Sequence, residues 1–290
     1  MQWIDIFNAN PSLLYGTVLI LGLIVGSFLN VVILRLPRIM EAGWHRECAE
    51  LTGREEGDEK PGLSLSQPPS QCPHCGHRIR PLENIPILSY LLLRGRCSAC
   101  GARISLRYPL IEGLTALLSL IVVMNFGLSW QAVAALALTW GLIALAAIDY
   151  DTQLLPDSIT IPLLWAGLLL SLFGLFTDSP SAIIGAAAGY LLLWVVFHLF
   201  RLATGKEGMG YGDFKLLALF GAWFGWQCLP QIILLSTLAG ALVGILLILS
   251  GRHERGVPMP FGPFLAIAGW ICLIWGGPIN DAYLRLSGLT

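Results

Sequence analysis

A chain of 290 residues that is 56% hydrophobic and only 12% charged cannot be an ordinary soluble domain, which carries about 25% charged residues. Its mean hydropathy of +0.72 marks a protein that crosses a bilayer several times. The net charge of −1 says nothing in bulk about partners, so the information lies in where the charges sit.

In chain order, the first apolar run covers about 13–34. No basic segment precedes it, and Arg35 and Arg38 follow it. That pattern argues against a cleaved signal peptide and for a first span whose N-terminus is outside. A long polar segment follows, from Pro37 to Tyr108. Eleven of the 17 Lys and Arg residues lie between Arg35 and Arg107, and segments rich in these residues stay in the cytoplasm. Further spans are expected near 109–126, 130–149, 158–177, 181–203, 213–228, 230–250 and 260–279, each close to the roughly 20 apolar residues a crossing needs. The loops holding Arg201 and Lys206, and Arg252 and Arg255, then fall on the same side as the long polar segment. The expected architecture is all-α and polytopic: a first transmembrane helix (1–36), a cytoplasmic insertion (37–108) and a seven-helix membrane domain (109–290), about eight spans in all.

Within the insertion, residues 41–62 read as a polar, partly flexible surface, and 61–70 (PGLSLSQPPS) as an extended connector, since proline is poorly tolerated in helices. Next come CPHCG (72–76) and CSACG (97–101). Two C-x2-C pairs, each followed by Gly, suit tetrahedral zinc held by Cys72, Cys75, Cys97 and Cys100. Disulfides or redox use are the alternatives, and a reducing cytoplasm weighs against the former. Four protein ligands leave no open position for water, so the metal would be structural. His74 and His77 sit inside this module but are not needed as ligands. Cys48, Cys228 and Cys272 lack spaced partners, and the last two read as packing residues in apolar helices.

Ionisable groups at the ends of membrane spans are costly and are functional candidates by default. Asp149 ends one apolar stretch, where a negative charge opposes the helix dipole. Asp213 begins another, after a glycine-rich run. Two spans lie between them, so both return to the same face, which the charge pattern makes cytoplasmic. Capping a helix is the bland role for Asp213. Asp151 and Asp157 compete with Asp149, although Asp157 reads as a cap on the following span. Glu112 fits a cap, an interior polar contact or a binding-site wall. A carboxylate pair sharing one water is the machinery of an aspartic protease. A carrier using intramembrane acids and a non-catalytic anchor with a docking module are the rival classes.

Taken together, GSFLNVVILRLP (26–37), the two cysteine knuckles, RYPLIE (107–112), DYDTQLLPD (149–157), GMGYGDFK (208–215) and PFGPFLA (260–266) resemble the bacterial type IV prepilin peptidases. Residues 210–213 also match the G-x-G-D element of intramembrane aspartic proteases. The resemblance implies an inner-membrane enzyme with Asp149 and Asp213 as the catalytic pair and the four cysteines as metal ligands. It implies cleavage of prepilins and pseudopilins after Gly. Methylation of the new N-terminus, usually Phe, would follow, with S-adenosylmethionine as donor. Protein substrates and membrane lipid are the expected partners, and nucleic acid is not. No glycine-rich cofactor loop of the soluble dinucleotide-binding kind places the methyl donor.

Overall fold

The computed structural model describes residues 6–7, 9–53, 63–206, 208–250 and 259–287. Arg252, Arg255 and residues 54–62 of the insertion lie outside the described residues. The chain divides into two compact units, Met1–Leu128 and Ser129–Thr290. Among the described residues the regular structure is helical, apart from two isolated antiparallel bridges, Gln71 with Arg78 and Arg96 with Arg103.

In the first unit, α1 (Pro11–Thr52) pairs with α3 (Arg107–Phe126). The pairing is close because small residues line it. A β-carbon at Gly22 would run into the Ala116 backbone, and one at Gly26 into that of Glu112. Small residues are what allow helices in lipid to approach without a hydrophobic drive between them. The Asn30 amide adds a polar tie, donating to the Tyr108 carbonyl at 3.1 Å and to the Gly26 carbonyl at 3.2 Å. The helix does not stop at Pro37 as expected. It carries Pro37 inside it and ends at Gly53, whose left-handed φ of 62° lets its N–H reach the Glu50 carbonyl. Residues 41–52, read as a flexible surface, are therefore helical. Proline removes one helical hydrogen bond, and the good helix formers after it carry the helix on. Residues 63–70 are irregular, as expected of a connector. Arg35 holds them by donating to the carbonyls of Ser64 (3.1 Å) and Leu65 (3.3 Å). A short helix α2 (Leu88–Leu92) follows the cysteine module's first half.

The second unit contains α4 (Trp130–Thr152), α5 (Asp157–Ser171), α6 (Ser179–Thr204), α7 (Tyr211–Phe224), α8 (Leu229–Leu249) and α9 (Gly262–Ser287). With α1 and α3, these are the eight apolar helices anticipated. Six are long and apolar enough to cross a membrane; α5 has 15 residues and α7 only 14. The span expected at 158–177 ends at Ser171 in a turn through Gly174, and that expected at 213–228 ends at Gly225. α7 is short because it is central. Ten of its 14 residues are buried, packed by α5, α6 and α9, and a helix apolar all round belongs in a core. The Gly185 and Gly221 backbones bring α6 and α7 into direct contact. Trp223, 2% exposed, closes the far end of α7: its indole N–H donates to the Leu163 carbonyl at 2.7 Å and its ring lies over Gly167 of α5.

Replacing Trp223 with Ala is expected to destabilise the second unit by about 3–5 kcal/mol, the range for deleting a large buried aromatic. Trp223→Phe, which keeps most of the volume, should cost less. Thermal unfolding in detergent checks the order. Equal midpoints for both variants and wild type would contradict this packing role.

Candidate functional site

Two candidate centres emerge, one in each unit. In the first unit, CPHCG and CSACG fold into the same turn twice, 25 residues apart. The Cys72 N–H donates to the His77 carbonyl (2.9 Å) and Gly76 N–H to the Cys72 carbonyl (2.9 Å). In the second knuckle Cys97 donates to Ala102 (2.8 Å) and Gly101 to Cys97 (3.0 Å). Gly76 and Gly101 share a φ of 71°, which suits glycine. The Gly that follows each C-x2-C pair in the sequence is the residue that makes this turn. The four sulfurs lie within 4.8 Å of one another, Cys72 to Cys100 at 3.9 Å and Cys75 to Cys97 at 4.0 Å. Four ligands at tetrahedral zinc–sulfur bond lengths of about 2.3 Å are separated by about 3.8 Å, whereas a disulfide needs about 2.05 Å. The donor set therefore fits a metal ion closed on all four sides.

Glu83 ties the knuckles together. Its carboxylate accepts the Arg80 N–H (2.9 Å) and the Ser98 hydroxyl (2.6 Å) and meets His77 Nε2 at 3.3 Å. The Arg80 N–H, followed by the Ser98 hydroxyl, brings its pKa down to about 2. His77 is thus occupied outside the sulfur cluster, as its non-ligand reading required.

In the second unit, burial separates the paired aspartates from their competitors. Asp149 is 5% exposed and Asp213 6%, while Asp151 and Asp157 are exposed. Asp157 is not the cap it resembled: Pro156 holds that position, and Asp157 pairs with Lys215 at 2.7 Å. Nor does Asp213 cap α7. The cap residue is Gly210, and Asp213 is the third residue of the helix, its carboxyl bonded by the Gly210 backbone. Asp149 lies in the last turn of α4, ahead of Gln153, whose φ of 56° turns the chain out of the helix. The connection to α5 then passes over α7. A β-carbon on Gly212 would sit 2.7 Å from that of Leu155, so the glycine before Asp213 is what lets the segment after Asp149 come close. Asp149 lies near enough to Asp213 for its charge to bear on that carboxyl.

The residue that sequence reasoning missed is Gly262. Its N–H, at the first residue of α9, donates to Asp149 Oδ2 at 3.0 Å in a buried bond. A β-carbon there would lie 2.7 Å from the same oxygen. The motif PFGPF was visible, but nothing local links it to a residue 113 positions earlier. Glu112 resolves as an interior polar contact in the first unit, accepting the Ile87 N–H at 2.8 Å. Cys228 and Cys272, read as separate packing residues, make a thiol–thiol contact.

Two family models match the chain: the bacterial peptidase A24 N-terminal domain over 20–126 and the type IV leader peptidase family over 136–245. The chain is similar to a Pseudomonas aeruginosa protein, with 54% identity covering 99% of each chain. It is similar to one from Aeromonas hydrophila at 54%, covering 97% of each. For one from Burkholderia pseudomallei the identity is 50%, covering 93% of this chain and 87% of the relative. All three are named prepilin leader peptidase/N-methyltransferase. No solved structure matches.

The sulfur geometry predicts one tightly held metal ion per chain. Elemental analysis of purified protein should find it in wild type and lose it when Cys72 and Cys97 are both Ser. Metal retained in that variant would mean the four sulfurs do not hold it. Glu83→Gln should release the ion to a chelator faster without removing it.

Proposed function

The chain belongs to the type IV leader peptidase family, and we propose that it is a bifunctional membrane enzyme. It cleaves the leader of type IV prepilins and type II pseudopilins after Gly and then methylates the new N-terminus. The observation that carries the peptidase half is the pair of buried carboxylates, Asp149 and Asp213, set in one field within the leader-peptidase unit. The methyltransferase half rests on the names of the relatives, with S-adenosylmethionine as the donor. The four-cysteine site is assigned to structural zinc, in keeping with its closed tetrahedral donor set.

The distribution of Lys and Arg supports an inner-membrane topology with residues 37–108 in the cytoplasm, between the first span (1–36) and the spans of 109–290. With α5 and α6 taken as two crossings, this charge pattern supports a place for both aspartates at the cytoplasmic face, where a precursor's polar leader meets its apolar helix.

The chemistry needs one carboxylate as base and the other as acid. The base takes a proton from water as the water oxygen attacks the scissile carbonyl carbon. The acid gives its proton to the carbonyl oxygen. The protonated base then gives its proton to the departing nitrogen, the other carboxylate takes a proton back from a hydroxyl of the tetrahedral intermediate, and the C–N bond breaks, so no covalent enzyme intermediate forms and both acids return to their starting states. Gly262 acts through Asp149: its N–H holds Oδ2 and so sets the orientation of the carboxylate.

Cleavage of a prepilin by purified enzyme in detergent tests this reading. Asp149→Asn and Asp213→Asn should each lower kcat by at least about 10²–10⁴-fold, the contribution of general acid–base catalysis. Asp151→Asn should cut normally. A variant of Asp149 or Asp213 that is folded and fully active would overturn the dyad. Gly262→Ala, which crowds the Asp149 carboxylate, should lower kcat by about 10²-fold with KM little changed. A rise in KM alone would place Gly262 in substrate binding instead.

A further inference from the structure

Asp149 and Asp213 stand on separate segments of the second unit, and those segments meet at two points. At the first, Leu155 lies on Gly212, where an added β-carbon would sit 2.7 Å from that of Leu155. At the second, the Lys215 ammonium donates to both oxygens of Asp157, each at 2.7 Å. The two points bracket the acids. Gly212 directly precedes Asp213 and Lys215 follows it by two residues, while Leu155 and Asp157 close the segment that Asp149 opens.

Both ends of the ion pair are firmly mounted. Asp157 is the first residue of α5, behind Pro156. The Pro156 carbonyl accepts the N–H groups of Ile159 (3.1 Å) and Thr160 (3.0 Å) and the Thr160 hydroxyl (3.1 Å), and Thr160 is fully buried. Lys215 is the fifth residue of α7 and Asp213 the third. Phe214 between them is fully buried, so the helix holds Lys215 at a fixed distance from the acid. The chain between Asp149 and α5 is less constrained. Residues 150–153 are exposed, and exposed chain has little packing to fix its path.

We propose that Asp157 and Lys215 are positioning residues for the peptidase. Their ion pair holds the segment that follows Asp149 down on α7 and so sets the separation of the two catalytic carboxylates. The proposal rests on the peptidase reading. Both residues act through the backbone and not on the reacting atoms. The pair is open to solvent, its side chains being 30% and 58% exposed, and such pairs contribute little to overall stability. Its effect is therefore on geometry, and the rate reports it better than the unfolding midpoint does.

The test measures kcat and KM for prepilin cleavage by the full-length enzyme in detergent, per folded molecule. Asp157→Asn and Lys215→Met should each lower kcat by about tenfold, less than the ~10²-fold of a 1 Å misplacement, with KM little changed. The double variant should be no slower than either single one, because partners in one contact are not additive. Lys215→Arg, which can still meet both oxygens, should recover most of the rate lost in Lys215→Met. Losses that multiply in the double variant, or that follow Lys215 alone, would overturn the proposal. So would full kcat in both single variants with a lowered unfolding midpoint, the mark of a merely structural pair. If Asp157→Asn fails to fold, Lys215→Met against Lys215→Arg decides: equal rates overturn the proposal. The peptidase reading fails separately. If Asp213→Asn cuts as well as wild type, that reading is lost; if it does not cut and the single variants keep full rates, only the positioning pair is lost.

Discussion

The second unit is organised around the cost of holding two carboxylates inside an apolar bundle. A buried carboxylate without partners is expensive enough that proteins avoid it. Here each is given backbone donors at the start of a helix. Asp213 sits in the first turn of α7, and the Asp149 carboxylate meets the first residue of α9. Helix N-termini carry unpaired N–H groups and the positive end of the helix dipole. Asp149 stands at the C-terminal end of its own helix, an unfavourable place for a negative charge, and α9 offsets this from outside. The dyad is therefore a product of tertiary packing: three helix ends converge on it.

That convergence explains the proportions of the bundle. α7 need not span the bilayer because its task is to deliver Asp213 from a central position, wrapped by α5, α6 and α9. Its near-complete burial demands close neighbours, which the backbone contact between Gly185 and Gly221 and the docking of Trp223 on α5 supply. At the functional end, Gly212 and Gly262 do different things. Gly212 makes room for Leu155, and so for the chain that leads away from Asp149; Gly262 makes room for the carboxylate itself. A side chain at either would push on the relation between the two acids.

Much of this was legible in the amino-acid sequence because hydropathy and spacing are local signals. Eight apolar stretches gave eight helices, and the C-x2-C pairs gave the sulfur cluster. Asp149 and Asp213 stood out because charge is rare near membrane spans. What stayed hidden depends on long-range contact. The Gly262–Asp149 bond joins residues 113 apart, and no periodicity encodes it. The early end of α7 reflects burial within the bundle, which hydropathy cannot tell from burial in lipid, whereas α5 gives way to a turn through Gly174. Pro37 was given too much weight, since one lost hydrogen bond does not end a helix whose flanking residues favour it.

The two centres also differ in what they ask of the chain around them. The sulfur cluster is assembled from two short turns, each satisfied by its own backbone bonds and joined through Glu83, so most of its geometry is encoded within about 30 residues. A closed set of four ligands has no free position at which to activate water, and its contribution is to hold a polar segment that has little apolar surface to bury. The carboxylate pair is the reverse case. It has open chemistry, since neither acid is consumed by an ion pair among the described residues, and it depends on helices drawn from the whole of the second unit. Evolutionary change in the knuckles can thus be absorbed locally. A change in the packing of α4, α7 or α9 reaches the reacting groups directly, and the turn at the start of α9 is where such a change would alter the orientation of Asp149.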